Sequence, residues 1–540
     1  MTTQNFKSPD NAMKIGIKAF KSGQYRQALK LLSKLSNSTA LNIAAVSAQK
    51  LQEYEAAEEY FKQAHNLAPR DSEVLNNWGH FELIRGDIET ANMLFLRALS
   101  ISPHLNAAKI GLGKTLNSQK RWAEALKVWR SLSKAASNTP TIIYGLATAL
   151  LETGSPSQAL VYFDRLQSAL PRPEVAFMKG RAYLDLCEYY QAEAEFTYAY
   201  KTQPGKLYLQ SLANIYWMQG KKKDFEELIK EAPDDLSVLS VNLLVDANLI
   251  DEAFEYWAHK SASLAGISEG QAVLSRLYQV REDANQSLNS AHKAIQLDPK
   301  SISAREAAIT SYLMAGEPEA ALQLLGPLCE RYPHAQNWIA HKFVAQRMMK
   351  GGGDLDLLDI HPLIRSYKIP VPRGFKTLTE FNTAFARHLN ALQGFKKRPL
   401  NQSLRGGTQT SQSLLAQENP IVKAYIDALD WPVKQYLQDI GKDPKHPTLS
   451  RNSNTYKFSG MWSVRLVDNG YHESHVHPEG WISSAYYVQV PPSLENSKSG
   501  WIHFGLPPYK TSPALSPVKW VKPEAGLVVL FPSFLWHGTK

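Results

Sequence analysis

Residues 57–69 read AEEYFKQAHNLAP and residues 91–103 read ANMLFLRALSISP. Ala57, Phe61, Ala64 and Pro69 of the first stretch become Ala91, Phe95, Ala98 and Pro103 of the second, each displaced by 34 residues. Steps of four and three put the alanines and the aromatic ring on one face of a helix, and the proline ends that helix before the next begins. A period of 34 is too long for one helix of this kind and leaves room for a second, which Gly79, twelve residues before Ala91, marks as closely packed. The unit is therefore a helix–turn–helix pair.

The register continues with Gly113, Ala125 and Trp129, then with Ala147, Ala159, Phe163 and Pro171. A step of 33 gives Ala192, Phe196, Ala199 and Pro204, and the pattern returns as Ala294 with Pro299 and Ala321 with Pro333. Between Lys206 and Ser290 the markers weaken, although Ala253 and Trp257 still suggest one helix of a pair. This array resembles the tetratricopeptide repeat from Met13 to Met349. The resemblance implies an all-α superhelix that recruits a protein or a peptide. The alanines and aromatics are read as core, with no site among them.

At 540 residues the chain exceeds what one core usually organises. Its composition, 44% hydrophobic and 20% charged, excludes wholesale disorder. No apolar run nears the roughly 20 residues of a membrane helix and the first residues lack a signal-peptide core, so neither membrane insertion nor classical secretion is expected. Cys187 and Cys329 lie too far apart for a disulfide framework, which points to a reducing, cytoplasmic setting. The net charge is +10, yet no basic run interleaves with aromatics, and no nucleic-acid partner is expected. From Gly351 onward there are 21 Lys and Arg against 14 Asp and Glu, together with eight of the fifteen histidines.

That last third also changes period. Gly351, Gly352 and Gly353 stop the helical repeat, and residues 351–420 read as a connecting region with some helix after a repeat array over 13–350 and a tail over 1–12. In 421–540, after a helix in IVKAYIDALDWPVKQYLQDI, the stretches SGMWSVRLV, GWISSAYYVQV, GWIHFGL and GLVVLFPS alternate as strands of a β-sandwich or jelly-roll. In GYHESHVHPEG, His475 and His477 are two residues apart, so on extended chain both rings reach one side and can share a metal. His537 follows the strand GLVVLFPS. Such imidazoles suit Fe(II), Mn(II), Zn(II) or Ni(II).

The run HESHVHPEGWISSAYYVQVPP, then GWIHFG, then PEAGLVVLFPSFLWHGT, resembles the 2-oxoglutarate and Fe(II)-dependent oxygenases found fused to tetratricopeptide repeats. The resemblance covers Asn401 to Lys540. It implies a mainly β double-stranded β-helix domain that binds Fe(II), takes 2-oxoglutarate as cosubstrate and hydroxylates its substrate with O₂. His475 and His537 then resemble metal ligands. His477 stands where that family places a carboxylate, so the third ligand is either His477, on strand parity, or Glu479, which follows Pro478 at a turn. The chain ends three residues after His537, and the terminal strand that would carry a cation for the distal carboxylate is missing from it. Arg465, then Arg405, are the substitute cations, and Tyr487 is a hydroxyl that can meet a cosubstrate carboxylate. Two other readings stand beside this one. The first is a repeat scaffold with an inactive barrel, and the second is a cupin-like metal enzyme that does not use 2-oxoglutarate.

Overall fold

A computed structural model describes residues 9–133, 139–349, 360–410, 413–417, 419–491 and 498–539. Among them the chain forms 24 α-helices and eight strands, with 22 of the helices ahead of the first strand. Two compact units are distinguished, Met1–Ala182 and Tyr183–Lys540.

In the first unit the helices alternate in pairs, such as Ser38–Lys50 with Tyr54–Leu67 and Ser72–Arg85 with Ile88–Ile101. The helix begins at Pro9, inside the expected tail, where Pro and Asp10 suit a first turn. Ends are set locally. Asp71 accepts from the amides of Glu73 and Val74, Asp87 accepts from Thr90, and Gly86 adopts the left-handed conformation that closes Ser72–Arg85. The repeat markers are the core: Ala57, Phe61, Ala64, Ala91, Phe95 and Ala98 are all fully buried. The glycine between such helices is dictated by the ring beside it. A Cβ at Gly113 would stand 2.5 Å from Trp129, and one at Gly145 would stand 2.4 Å from the same indole.

The second unit continues the helical pairs through the stretch where the markers fade, with Lys206–Met218, Lys222–Lys230, Ser237–Asp246 and Ile250–His259. The last repeat helix is Gln336–Met349. Gly351, Gly352 and Gly353 lie outside the described residues. The strands that follow are β1 (Arg365–Lys368), β2 (Leu404–Gln409), β3 (Val464–His472), β4 (Ile482–Tyr486), β5 (Ile502–Phe504), β6 (Lys519–Val521), β7 (Leu527–Pro532) and β8 (His537–Thr539). They form three short sheets, β1-β7-β4, β2-β3 and β6-β5-β8, all paired antiparallel. The region is sheet-rich, but no closed barrel forms among the described residues.

Strand β7 shows how the layers stack. Its alternate residues Val528 and Leu530 pack under the helices Leu378–Ala391 and Pro420–Ile440, with Phe381, Phe385, Tyr425 and Tyr436. Val529 and Phe531, on its other face, meet Ile502 and Phe504 of β5, and the Phe504 and Phe531 rings stand 4.9 Å apart. The same core takes in Ile339, Phe343 and Val344 of the last repeat helix. The final repeat and the sheets thus share one interior, and the change of period near 350 is not a gap in packing. Arg347 of that helix reinforces the joint, donating to the carbonyls of Gly505 and Ser516.

Candidate metal centre

Three imidazoles converge at one end of the two facing sheets. His475 lies just beyond β3, where a single antiparallel bridge ties it to His537 at the start of β8. Its amide donates to the His537 carbonyl at 2.9 Å, and the reciprocal bond is 3.0 Å. The His477 amide donates to Ser533 at 3.1 Å. Backbone bonds therefore fix all three residues before any ligand arrives. One ring nitrogen from each of His475, His477 and His537 lies within 4.8 Å of the other two. The ring centroids are 4.1 Å apart for His475 and His537, 5.1 Å for His475 and His477, and 5.0 Å for His477 and His537.

Tautomers follow from the acceptors. A carbonyl can only accept, so His475 Nδ1 donates to Glu473 at 2.9 Å and His537 Nδ1 donates to Leu535 at 2.8 Å. Each bond leaves Nε2 as a free lone pair, the form a metal requires. Burial keeps the rings neutral: it is the first cause lowering His475 and His537, and it brings His477 down to about 4. Three neutral, converging donors, two of them with preset tautomers, fit a divalent transition metal. No carboxylate joins that group among the described residues.

The other sequence candidates are placed differently. Glu479 sits exposed on the turn after Pro478, outside the cluster. Arg465 points to solvent from β3 rather than into an interior; β2 and β3 form a separate two-stranded ribbon that nothing encloses on that side among the described residues. Arg405 is already engaged. It pairs with both oxygens of the Glu473 carboxylate and donates to the carbonyls of Gln402 and Leu404. Tyr487 follows the far end of β4, its amide bonded to Leu527, whereas the histidines lie at the end where Ile482 faces Pro532. Its hydroxyl is buried against the inner core with no hydrogen-bond partner among the described residues.

Neighbouring residues complete the surroundings. Ser533 bonds through Oγ to Ser483 Oγ at 2.8 Å while its carbonyl holds His477. Gly480 is needed there, since a Cβ would stand 2.4 Å from Ser533 Oγ. His472 stacks 5.8 Å from the His475 ring but bonds through Nδ1 to Ser403 Oγ at 3.0 Å, and His503 lies beside Trp520; neither joins the group.

A family model described as "Putative 2OG-Fe(II) oxygenase" matches residues 460–540, a stretch that contains all three histidines, and a "Tetratricopeptide repeat" model matches residues 38–71. Solved structures similar to this chain include that of the Pseudomonas aeruginosa protein pilF, at 21% identity over 37% of this chain and 94% of that one, with a TM-score of 0.33. PilW, described as a widely conserved type IV pilus biogenesis factor, matches at 20% identity over 38% and 98%, TM-score 0.33. Yeast Tom70 matches at 14% over 64% and 96%, TM-score 0.31. No curated protein matches the chain. Among the described residues no helix is long and apolar enough to cross a membrane.

Proposed function

We propose that this chain is an Fe(II)- and 2-oxoglutarate-dependent oxygenase that hydroxylates a protein or peptide held by its repeats. The observation that carries the reading is the convergence of His475, His477 and His537 inside the stretch that matches the oxygenase model. In this reading those three residues hold the iron, and His477 takes the place of the usual carboxylate. Bound Fe(II) supplies the O₂ chemistry that no side chain can perform. The chain's part is to present three neutral imidazole donors without rearrangement. Glu473 and Leu535 carbonyls fix two of the rings, and Ser533 fixes the backbone of the third.

An all-imidazole set brings no negative charge, so a divalent cation there keeps its full charge for an anionic cosubstrate. A dicarboxylate such as 2-oxoglutarate suits that balance. The same neutral set favours the second reading, a cupin-like metal enzyme without 2-oxoglutarate. The tetratricopeptide match supports protein or peptide recruitment, and the free Cys187 and Cys329 support a cytoplasmic setting.

Turnover separates the readings. With Fe(II) and ascorbate present, the purified chain is expected to convert 2-oxoglutarate to succinate at a slow uncoupled rate, and the His475→Ala variant to do so no faster than free iron. A metal-loaded protein that binds iron yet releases no succinate with candidate peptides present points to the cupin-like reading.

A further inference from the structure

The segment Gln393–Leu400 leaves the helix Leu378–Ala391 and lies against repeat helices of the same unit. Its contacts are regular. The amides of Lys396 and Lys397 both donate to the carbonyl of Met218, the last residue of the helix Lys206–Met218, at 3.1 Å. Arg398 donates through Nη2 to the carbonyl of Asp246, the last residue of Ser237–Asp246, at 2.6 Å. The final carbonyls of a helix lack intrahelical partners and carry its negative pole, so two such ends together attract a cationic segment. Side chains add to this. Lys397 Nζ stands 3.8 Å from the Trp217 ring, the Phe395 ring is 4.0 Å from that of Tyr189, and Asn214 accepts the Leu400 amide at 2.8 Å. Phe395, Arg398 and Leu400 are buried. Gly394 permits the approach, because a Cβ there would stand 2.4 Å from the Tyr189 hydroxyl.

The same segment runs directly into the histidine site. The Ser403 carbonyl accepts the Glu473 amide at 2.9 Å, and Arg405 grips the Glu473 carboxylate. The Glu473 carbonyl in turn orients the His475 ring. We infer that the paired ends of Lys206–Met218 and Ser237–Asp246 are a docking surface for a cationic loop segment, that residues 395–400 are its resident occupant, and that docking holds His475 in place through Ser403, Arg405 and Glu473. Arg405 is then a positioning residue, one step removed from the metal.

The bearing of this on catalysis rests on the oxygenase reading, but its test does not, because it uses the metal-free full-length protein. Hydrogen exchange is measured in wild type and in Gly394→Val, Trp217→Ala and Arg405→Ala variants, with helices of Met1–Ala182 as the folding control. Gly394→Val and Trp217→Ala are expected to speed exchange at least tenfold both in 395–400 and in 472–477. Arg405→Ala is expected to do so in 472–477 alone. Freed residues 395–400 with unchanged exchange at 472–477 would overturn the coupling. Continued protection of 395–400 in both Gly394→Val and Trp217→Ala would overturn the docking surface itself.

Discussion

Replacing His537 with alanine is expected to lower the affinity for Fe(II), or for Co(II) as a spectroscopic substitute, by more than about 100-fold, beyond what loss of an outer partner costs. His537 is the most buried of the three histidines, at 5% exposure, with its ring 4.6 Å from Phe531 and its Nδ1 committed to Leu535. Its lone pair therefore has one direction to face, toward His475 and His477. No neighbour can replace it, since His472 is tied to Ser403 and His503 lies outside the group. Fluorescence-monitored or calorimetric titration of the variant reads the effect directly. His472→Ala serves as the comparison, with a smaller loss expected. Equal loss in the two variants would mean that the ligand set is drawn wrongly.

Acid is expected to unfold the unit Tyr183–Lys540 well before simple carboxylate titration would. Burial brings His341, His472, His477 and His503 each down to about 4 from the ordinary 6.5. Between those values the unfolded chain binds protons that the folded chain refuses. Stability is thus whole above pH 6.5 and falls as pH drops toward 4. For His341 alone, fully enclosed between Tyr509 and Trp536 with Nδ1 2.9 Å from the Tyr509 hydroxyl, the loss is about 3 kcal/mol. Circular dichroism across pH 7 to 4 reads this. Divalent metal is expected to move the midpoint to lower pH, because metal ligation holds the imidazoles unprotonated. A transition that begins only below pH 4 would contradict the burial argument, and a midpoint that does not respond to metal would contradict the metal centre.

Much of this was legible in the chain because period encodes packing. The recurring Ala and aromatic positions turned out to be the buried stripe itself, from Ala57 to Ala199, while the prolines that end each unit are exposed. Helices persist between Lys206 and Ser290 where that stripe fades, because other apolar residues such as Leu209, Val241 and Leu244 fill the same interior. Strands β4, β5 and β7 lie within three of the four alternating stretches, and β3 overlaps the fourth only at 464–467 before running on to His472. Short strands were less visible. β1 has four residues and becomes a strand only by pairing with β7, and the connecting region also hides β2. β2 is glycine-rich for a reason of fit: a Cβ at Gly407 would stand 2.4 Å from the Arg465 carbonyl, and one at Gly470 would stand 2.0 Å from that of Gly406.

At the site, residue spacing put His475 and His477 on one side, and the distant His537 joined them through a backbone bridge that no local pattern announces. What spacing could not give was orientation against the rest of the fold. Arg465 alternates correctly for an interior, yet β3 is exposed at this point and leaves it in solvent. Arg405 is a free cation in the sequence and an ion-paired one in three dimensions, through a glutamate 68 residues away. The repeat helices that clamp Phe395–Leu400 carry no marker for it either, since main-chain carbonyls such as Met218 and Asp246 make the contacts.

An anaerobic titration of the purified chain with Fe(II) and then with 2-oxoglutarate tests the central claim most directly, read as a weak visible metal-to-ligand charge-transfer band. The band is expected to require both additions and to vanish in His475→Ala and His537→Ala. Iron that binds to the three histidines without a band on addition of 2-oxoglutarate would contradict the oxygenase assignment, and iron that binds equally to wild type and both variants would contradict the site.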